Sequence, residues 1–322
     1  MTILLTGAAG FIGMHVAQAL LARGESVVGV DNVNDYYDVA LKEARLARLG
    51  EHAAFRLERI DIADQGALTP LAGGVDRIIH LAAQAGVRYS LTHPEAYERA
   101  NLAGHLNVLE FARSIGDGLT NMVYASSSSV YGGNTKLPFS VDDQVDNPVS
   151  LYAATKKANE LMSHAYSHTY GLPQVGLRFF TVYGPWGRPD MAAYIFATKI
   201  LAGEPIPVFN HGDMQRDFTF IDDIVAGVIA ALDRPSTADE PRHRVYNLGN
   251  HRSERLMDFI GLIEEALGRK AEIDFQPMQP GDVQATYADI AASQRDLGFQ
   301  PTTPIAEGIP KFIAWYREYH RV

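Results

Sequence analysis

Tyr152 and Lys156 stand four residues apart in the run S-L-Y-A-A-T-K, and a serine run, Ser126 to Ser129, precedes them by one loop. On a helix that spacing puts both side chains on one face, one turn apart. A phenol beside an ammonium is an acid–base pair. The cation favours the phenolate, so the tyrosine is expected to titrate below its ordinary value of about 10. A tyrosine tuned in this way takes a proton from a sugar hydroxyl and returns it. Ser127 ends an apolar strand, Asn121 to Ala125, and can hydrogen-bond the same hydroxyl. Such a pair also arises by chance, but no other Y-x-x-x-K occurs in the chain.

The second chemical feature is at the start. Ile3-Leu4-Leu5 reads as a strand and feeds Gly7, Gly10 and Gly13. An amphipathic helix follows, with Ile12, Val16, Ala19 and Leu20 on one face. Ser26 to Val30 is a second strand ending in Asp31. Strand, glycine turn, helix, strand and acid in this order make a dinucleotide site. The glycines let the backbone approach a pyrophosphate seated on the helix N-terminus. Asp31 can hold the adenosine ribose 2′-hydroxyl and would repel a 2′-phosphate, which favours NAD over NADP. The spacing departs from G-x-G-x-x-G by one residue. No Gly-Lys-Ser/Thr follows, so the turn is not a Walker A loop.

Composition sets the bounds. The chain has 322 residues, 47% hydrophobic and 20% charged, a globular balance. Its net charge of −10 argues against nucleic acid or a membrane surface as partner. There is no cysteine, so disulfides, thiolate catalysis and cysteine-held zinc are excluded and a reducing cytoplasm is expected. The N-terminal residues read as a strand, without a signal peptide. No apolar run approaches the roughly 20 residues that span a bilayer. Ile224 to Leu232, bracketed by Asp222, Asp223 and Asp233, reads as a buried helix. His164 and His168 have helical spacing but no accompanying Glu, and no metal site is expected.

Between these features strand and helix patterns alternate. Val39 to Leu49 reads as a helix with Arg and Lys on its outer face. Phe55 to Ile60 and Val75 to Leu81 read as strands, Pro94 to Ser114 as one long helix carrying Asn101, and Gln174 to Phe179 as a sixth strand. The expectation is an α/β chain with a Rossmann-type, doubly wound parallel sheet. Ligands of such sheets bind at the carboxyl ends of the strands, where Gly7, Asp31, Asp61, Ala82 and Ser127 all fall. After Phe179 the texture turns to glycine, proline and aromatics. Residues 1–180 are therefore read as the dinucleotide-binding domain and 181–322 mainly as a smaller C-terminal α/β substrate-binding region, with a strand near 244–248 returning to the sheet.

With these motifs assembled, the whole chain resembles the extended short-chain dehydrogenase/reductase superfamily, in its nucleotide-sugar epimerase and dehydratase branch. The markers are the glycine turn, Asp31, Asp61, His80-Leu81-Ala82-Ala83, Asn101, Ser127, Tyr152/Lys156, Arg178-Phe179-Phe180 and Arg216-Asp217-Phe218. Asp31 to Asp38, Ala85 to Ser90, Thr181 to Asp190 and Met278 to Asp282 are similar to the UDP-glucuronate 4-epimerase family. The resemblance implies NAD contacts at Gly7, Gly10, Phe11, Ile12, Gly13, Asp31, Asn32, Asp61, Ile62, Leu81, Ala82, Ala83, Gln84, Asn101, Tyr152, Lys156 and Phe179. It implies a homodimer, with helices near 94–114 and 150–170 pairing across a two-fold axis.

The resemblance also implies a mechanism. Tyr152 takes the proton from the sugar O4, tightly held NAD receives the C4 hydride, and the 4-keto sugar rotates and takes the hydride back. Lys156 would tune the tyrosine and hold the nicotinamide ribose, and Ser127 would share the O4 hydrogen bond. Arg216 would meet the UDP phosphates and Asp282 the uridine ribose. Many sugar epimerases carry an Arg three residues before that Asp; here it is Gln279, which leaves one phosphate contact unassigned.

Dehydratases of this branch carry Asp-Glu ahead of Val-Tyr-Gly, and decarboxylases a Glu; this chain has Ser128 and Ser129. Hydroxyls cannot serve as carboxylic acids at neutral pH, but they tolerate a substrate carboxylate. Thr181 and one of Arg88 or Arg188 would complete that pocket. The plainer reading is that the serines satisfy strand-end backbone groups. The expected reaction is interconversion of UDP-glucuronate and UDP-galacturonate. Its alternatives are UDP-glucose/UDP-galactose epimerisation, UDP-glucuronate decarboxylation and, in another class, a non-catalytic dinucleotide sensor.

Overall fold

The computed structural model describes residues 2–236, 240–279 and 282–322. Pro280 and Gly281, part of the quoted Met278 to Asp282 stretch, lie outside the described residues. The first half builds β1 (Thr2–Thr6), α1 (Phe11–Ala22), β2 (Ser26–Val30), α2 (Val39–Gly50), β3 (Phe55–Glu58), β4 (Val75–His80), α3 (Pro94–Tyr97), α4 (Gly104–Ile115), β5 (Asn121–Ser127), α5 (Leu151–Tyr170) and β6 (Gln174–Phe179). The second half adds β7 (Thr181–Tyr183), α6 (Ala192–Ala202), β8 (Ile206–Val208), β9 (Gln215–Arg216), β10 (Phe218–Phe220), α7 (Ile221–Leu232), β11 (His243–Leu248), β12 (Glu254–Arg255), α8 (Leu256–Leu267), β13 (Ile273–Phe275), α9 (Ala291–Leu297) and α10 (Ile305–His320).

Seven strands form one parallel sheet in the order β11-β6-β5-β4-β1-β2-β3. The order reverses between β1 and β4, which makes the crevice above that junction the binding place of a doubly wound sheet. Side chains alternate across the sheet as strand geometry requires. Ile3 and Leu5 of β1 join Val123 and Leu177 in a core with α1 and α7. Leu4 points the other way, into a core with Val108 and Leu109 of α4 and Met122. β11 pairs in parallel with β6, from His243 beside Gln174 to Leu248 beside Phe179. The short pairs β10–β7, β12–β9 and β13–β8 stand apart from the main sheet.

Two local readings are corrected. The single helix expected over 94–114 is three contiguous pieces, with a π-helical segment, Glu98–Ala103, between α3 and α4. The wider turn lets Asn101 face inward, where its carboxamide bonds the backbone N–H and carbonyl of Gln84 and the hydroxyl of Thr155. On α2 the basic residues do not share an outer face. Lys42 and Arg45 are buried and only Arg48 is exposed, because the buried pair donates to loop oxygens, Lys42 to Asn34 and Arg45 to Ala9, Trp186 and Gly187. No helix among the described residues is long and apolar enough to cross a membrane.

Candidate active site

A cavity of about 990 Å³ opens above the carboxyl ends of the strands and runs between the sheet and the segments after Phe179. Its first part is built by backbone. Gly7 has φ +78°, and a Cβ there would stand 2.7 Å from the backbone nitrogen of Ala82. A Cβ on Gly13 would stand 2.0 Å from the Gly7 carbonyl oxygen. The turn and the end of β4 thus meet chain to chain, and α1 presents its N-terminus to the cavity, the positive end of its dipole. Asp31 braces this turn: one carboxylate oxygen accepts from the Ala9 N–H at 3.0 Å, the other from Val33 at 2.8 Å. Phe11, Ile12, Asn32, Asp61, Ile62, Leu81, Ala82, Ala83 and Gln84 line the same part. Burial pushes the Asp61 carboxyl up, but the Ala63 N–H and Arg99 hold it below its ordinary range.

Beyond β4 and β5 the wall becomes polar. Ser127 ends β5 and its hydroxyl accepts from the Ser129 N–H at 3.2 Å, which tightens the turn Ser128–Tyr131. Ser150 caps α5 by accepting from Ala153, fixing the start of the helix that carries Tyr152 and Lys156. Both face the cavity with Ser127, Ser128, Ser129 and Phe179. The electrostatics differ from expectation. Burial raises the Tyr152 phenol above its ordinary value, partly offset by a hydrogen bond with Ser127 and by the Arg188 cation. Lys156, one turn on, is also buried. Its Nζ donates to the Ala125 carbonyl at 3.1 Å, and burial lowers its pKa to about 8. Desolvation dominates both groups because each is enclosed by protein on the cavity wall.

The far part of the cavity gathers three charged groups, Arg88, Arg216 and Asp282. Arg88 donates to Asp282 at 3.1 Å and lies over the Phe209 ring. Arg216 faces the same carboxylate, and burial lowers its pKa although Asp282 opposes that. Arg188 stands elsewhere, near Tyr152. It is doubly bonded to Asp190, at 3.0 and 2.5 Å, and Tyr36 donates to the same carboxylate at 3.0 Å. Burial alone would lower the Arg188 pKa, but Asp190 raises it above the usual value. Thr181 lines the wall beside the serine turn.

Every residue expected at the site lines this one cavity except Asn101, which sits behind the wall and fixes Gln84. Sequence reasoning missed Tyr36, Lys42 and Asp190 as lining residues. Tyr36 and Asp190 lay inside quoted motifs, so their signal was present; Lys42 was read as solvent-facing. His164 lies near His243, with ring centres 5.7 Å apart, and no cluster able to hold a metal occurs among the described residues.

The glycine turn and the serine–tyrosine pair open on one cavity across the switch point, which defines a dinucleotide-dependent enzyme working at a hydroxyl-bearing carbon. Residues 3–249 match the model of the NAD dependent epimerase/dehydratase family, and the chain belongs to that family. It is 49% identical over 333 residues to UDP-glucuronate 4-epimerase 4 of Arabidopsis thaliana, across 99% of this chain and 76% of that one. It is 47% identical to Protein CapI of Staphylococcus aureus, over the full length of both. Among solved structures it resembles UDP-glucuronic acid 4-epimerase from Bacillus cereus in complex with UDP-glucuronic acid and NAD. The TM-score is 0.92 and the identity 34%, across 99% of this chain and 100% of that one.

Proposed function

We propose that this chain is an isomerase that interconverts UDP-glucuronate and UDP-galacturonate by epimerisation at C4. The observation that carries the reading is the polarity of the cavity. Arg88, Arg216 and Asp282 collect at one end, while Ser127, Ser128, Ser129, Thr181 and Arg188 surround Tyr152 at the other. The first group suits a nucleoside diphosphate: two cations for phosphates, a carboxylate for ribose hydroxyls. In this reading Arg88 takes the phosphate contact that Gln279 cannot make. The second group suits a sugar with a carboxylate, since hydroxyl and guanidinium donors face it where relatives with other activities need an acid.

Gly7, Gly10, Gly13 and Asp31 would hold NAD, which when bound would supply a hydride acceptor and donor for C4. Tyr152 removes the O4 proton and later returns it, Ser127 holds O4 by a hydrogen bond, and Lys156 holds a positive charge beside them. Residues 1–180 with β11 would carry the cofactor, and most of 181–322 the UDP-sugar. A homodimer through α4 and α5 is part of the proposal, supported by the exposed Leu106 and Leu161 on those helices. So is a cytoplasmic location. Light scattering at micromolar concentration tests the dimer, and a monomer overturns it.

The reaction is tested by an NMR time course of UDP-glucuronate with purified protein and no added reductant. The expected result is growth of the UDP-galacturonate anomeric signal to a constant ratio. Faster turnover of UDP-galactose would overturn the carboxylate reading; release of CO2 as the main outcome would assign decarboxylation instead; no conversion would indicate a sensor.

A further inference from the structure

We propose that Arg45 is a positioning residue that ties the cofactor turn to the loop carrying Arg188, so that dinucleotide and sugar binding reinforce each other. The proposal rests on the reading of Gly7–Gly13 as the cofactor cradle and of Arg188 as a sugar-side residue.

Arg45 lies on α2, and its side chain is 0% exposed. No ion pair to it exists among the described residues. Its guanidinium instead spans two loops. Nη1 donates to the Ala9 carbonyl at 3.0 Å and to the Tyr37 hydroxyl at 2.7 Å. Nη2 donates to the carbonyls of Trp186 at 2.6 Å and Gly187 at 3.2 Å. Ala9 sits inside the glycine turn, and its own N–H is the one that Asp31 accepts. Trp186 and Gly187 directly precede Arg188. One side chain therefore joins the turn under the cofactor to the loop beside Tyr152.

A cation buried without a counter-ion is costly, and an apolar residue would fill the same space at less cost. What an apolar residue lacks is a planar fork aimed at two backbones. Lysine has a charge but only a point donor. The Nε–H of Arg45 has no partner, so the four acceptors at its two ends set its aim. The loop it holds is itself constrained. Trp186 has φ +62°, an unusual conformation for a large residue, and persists where neighbours over-determine it. Its ring packs against Trp315 and Tyr319, and His15 of α1 bonds the Pro185 carbonyl at 3.0 Å. The loop is thus anchored to the cofactor domain at Pro185, Trp186 and Gly187, and Arg45 is the anchor that also touches the glycine turn.

The test compares purified wild type with Arg45→Lys and Arg45→Met, each confirmed as folded by circular dichroism. Three quantities are read: NAD retained after gel filtration, the Kd of UDP alone, and KM and kcat for UDP-glucuronate. In Arg45→Met, NAD affinity should fall and KM should rise by tenfold or more each, while the Kd of UDP stays within twofold. Arg45→Lys should recover less than half of either loss. Folded Arg45→Met with NAD affinity and KM both within twofold of wild type would overturn the proposal. So would a parallel loss of UDP binding, which marks general damage. If Arg45→Met does not fold, Tyr37→Phe removes one of the four bonds; it should shift NAD affinity and KM together by two- to fivefold, and no shift in either overturns the idea. NAD retention and UDP binding are measured without turnover, so they decide the matter even if the wild type leaves UDP-glucuronate unchanged.

Discussion

Glu160 lies one helical turn beyond Lys156 and forms a two-point ion pair with Arg178 of β6, at 2.8 and 2.9 Å, with both side chains buried. Ser126 donates to the same carboxylate at 2.6 Å, so the residue beside Ser127 is held by the helix that carries Tyr152. Burial pushes the Glu160 carboxyl up, but Arg178 wins and holds it below its ordinary value. Breaking a buried pair from one side leaves an uncompensated charge, which costs about 3–5 kcal/mol. Glu160→Gln should lose stability on that scale in urea titration, and a loss under about 1 kcal/mol would refute the assignment. Because the folded pKa is depressed, this contribution is present above the unfolded value near 4.5 and vanishes as pH falls through the folded one.

Asp217 should act with the opposite sign. Burial pushes its carboxyl up to about 6 from 3.8, although the N–H groups of Asn250 and Ala288 and the Thr219 hydroxyl donate to it. A carboxyl raised in the folded state takes up a proton on folding between those values. Stability therefore falls as pH rises from about 4 to about 6. Asp217→Asn removes that titration and loses acceptors. The variant should be less stable at both ends, with a gap to wild type that narrows over that range. A constant or widening gap in urea midpoints at several pH values would contradict this.

Tyr152→Phe keeps the ring and removes only the proton relay. We expect kcat to fall about 10²–10⁴-fold, the usual contribution of a positioned acid–base group. Binding of UDP and NAD should change little. Steady-state rates with calorimetric binding check both halves, and wild-type turnover in the variant would exclude Tyr152 as the relay.

Asp31 predicts the cofactor carried through purification. The nucleotide released on denaturation should be NAD, because a 2′-phosphate would meet the carboxylate of Asp31 on the cavity wall. Asp31→Asn should shift the ratio of NADP to NAD affinity upward by about tenfold, roughly the 1.4 kcal/mol of one modest charge contact. Equal affinities in the wild type would remove the basis for this reading.

What was legible in the sequence was local or periodic. The glycine turn, Asp31 and the strands around them follow from short-range spacing, and β11 was legible as a short strand near 244–248. Arg45 and Lys42 were misread because helical periodicity assigns cations to water unless an acceptor is known; Lys42 finds its own in the loop just before the helix, and Arg45 reaches loops distant in sequence. The Tyr152 pKa was misjudged for a related reason. Spacing on a helix shows that Lys156 is near, but not how strongly burial acts on the phenol. The meeting of Arg88 with Asp282, 194 residues apart, has no local signal at all.

The last prediction concerns the carboxylate of the sugar. Oxidising C4 of a uronic acid creates a β-keto acid, which loses CO2 readily when the C5–carboxyl bond stands perpendicular to the carbonyl plane. An epimerase must keep the carboxylate out of that alignment until hydride returns. Ser128, Ser129 and Thr181 offer donors on the cavity wall, and Arg188 offers a cation already shared with Asp190. That pairing matters: a substrate carboxylate meets an arginine whose charge is largely balanced, so neutral donors must supply much of the grip. Hydrogen bonds to a charged group contribute about 1.5–3 kcal/mol each. Removing one, as in Ser129→Ala or Thr181→Ala, should lower kcat/KM for UDP-glucuronate about tenfold to a hundredfold. The freed carboxylate should also reach the perpendicular geometry more often, so the fraction of UDP-4-keto-pentose, resolved by chromatography, should rise. UDP-galactose has no carboxylate and should remain a poor substrate of the wild type. If both variants keep the wild-type rate and product ratio, the carboxylate is held by other residues.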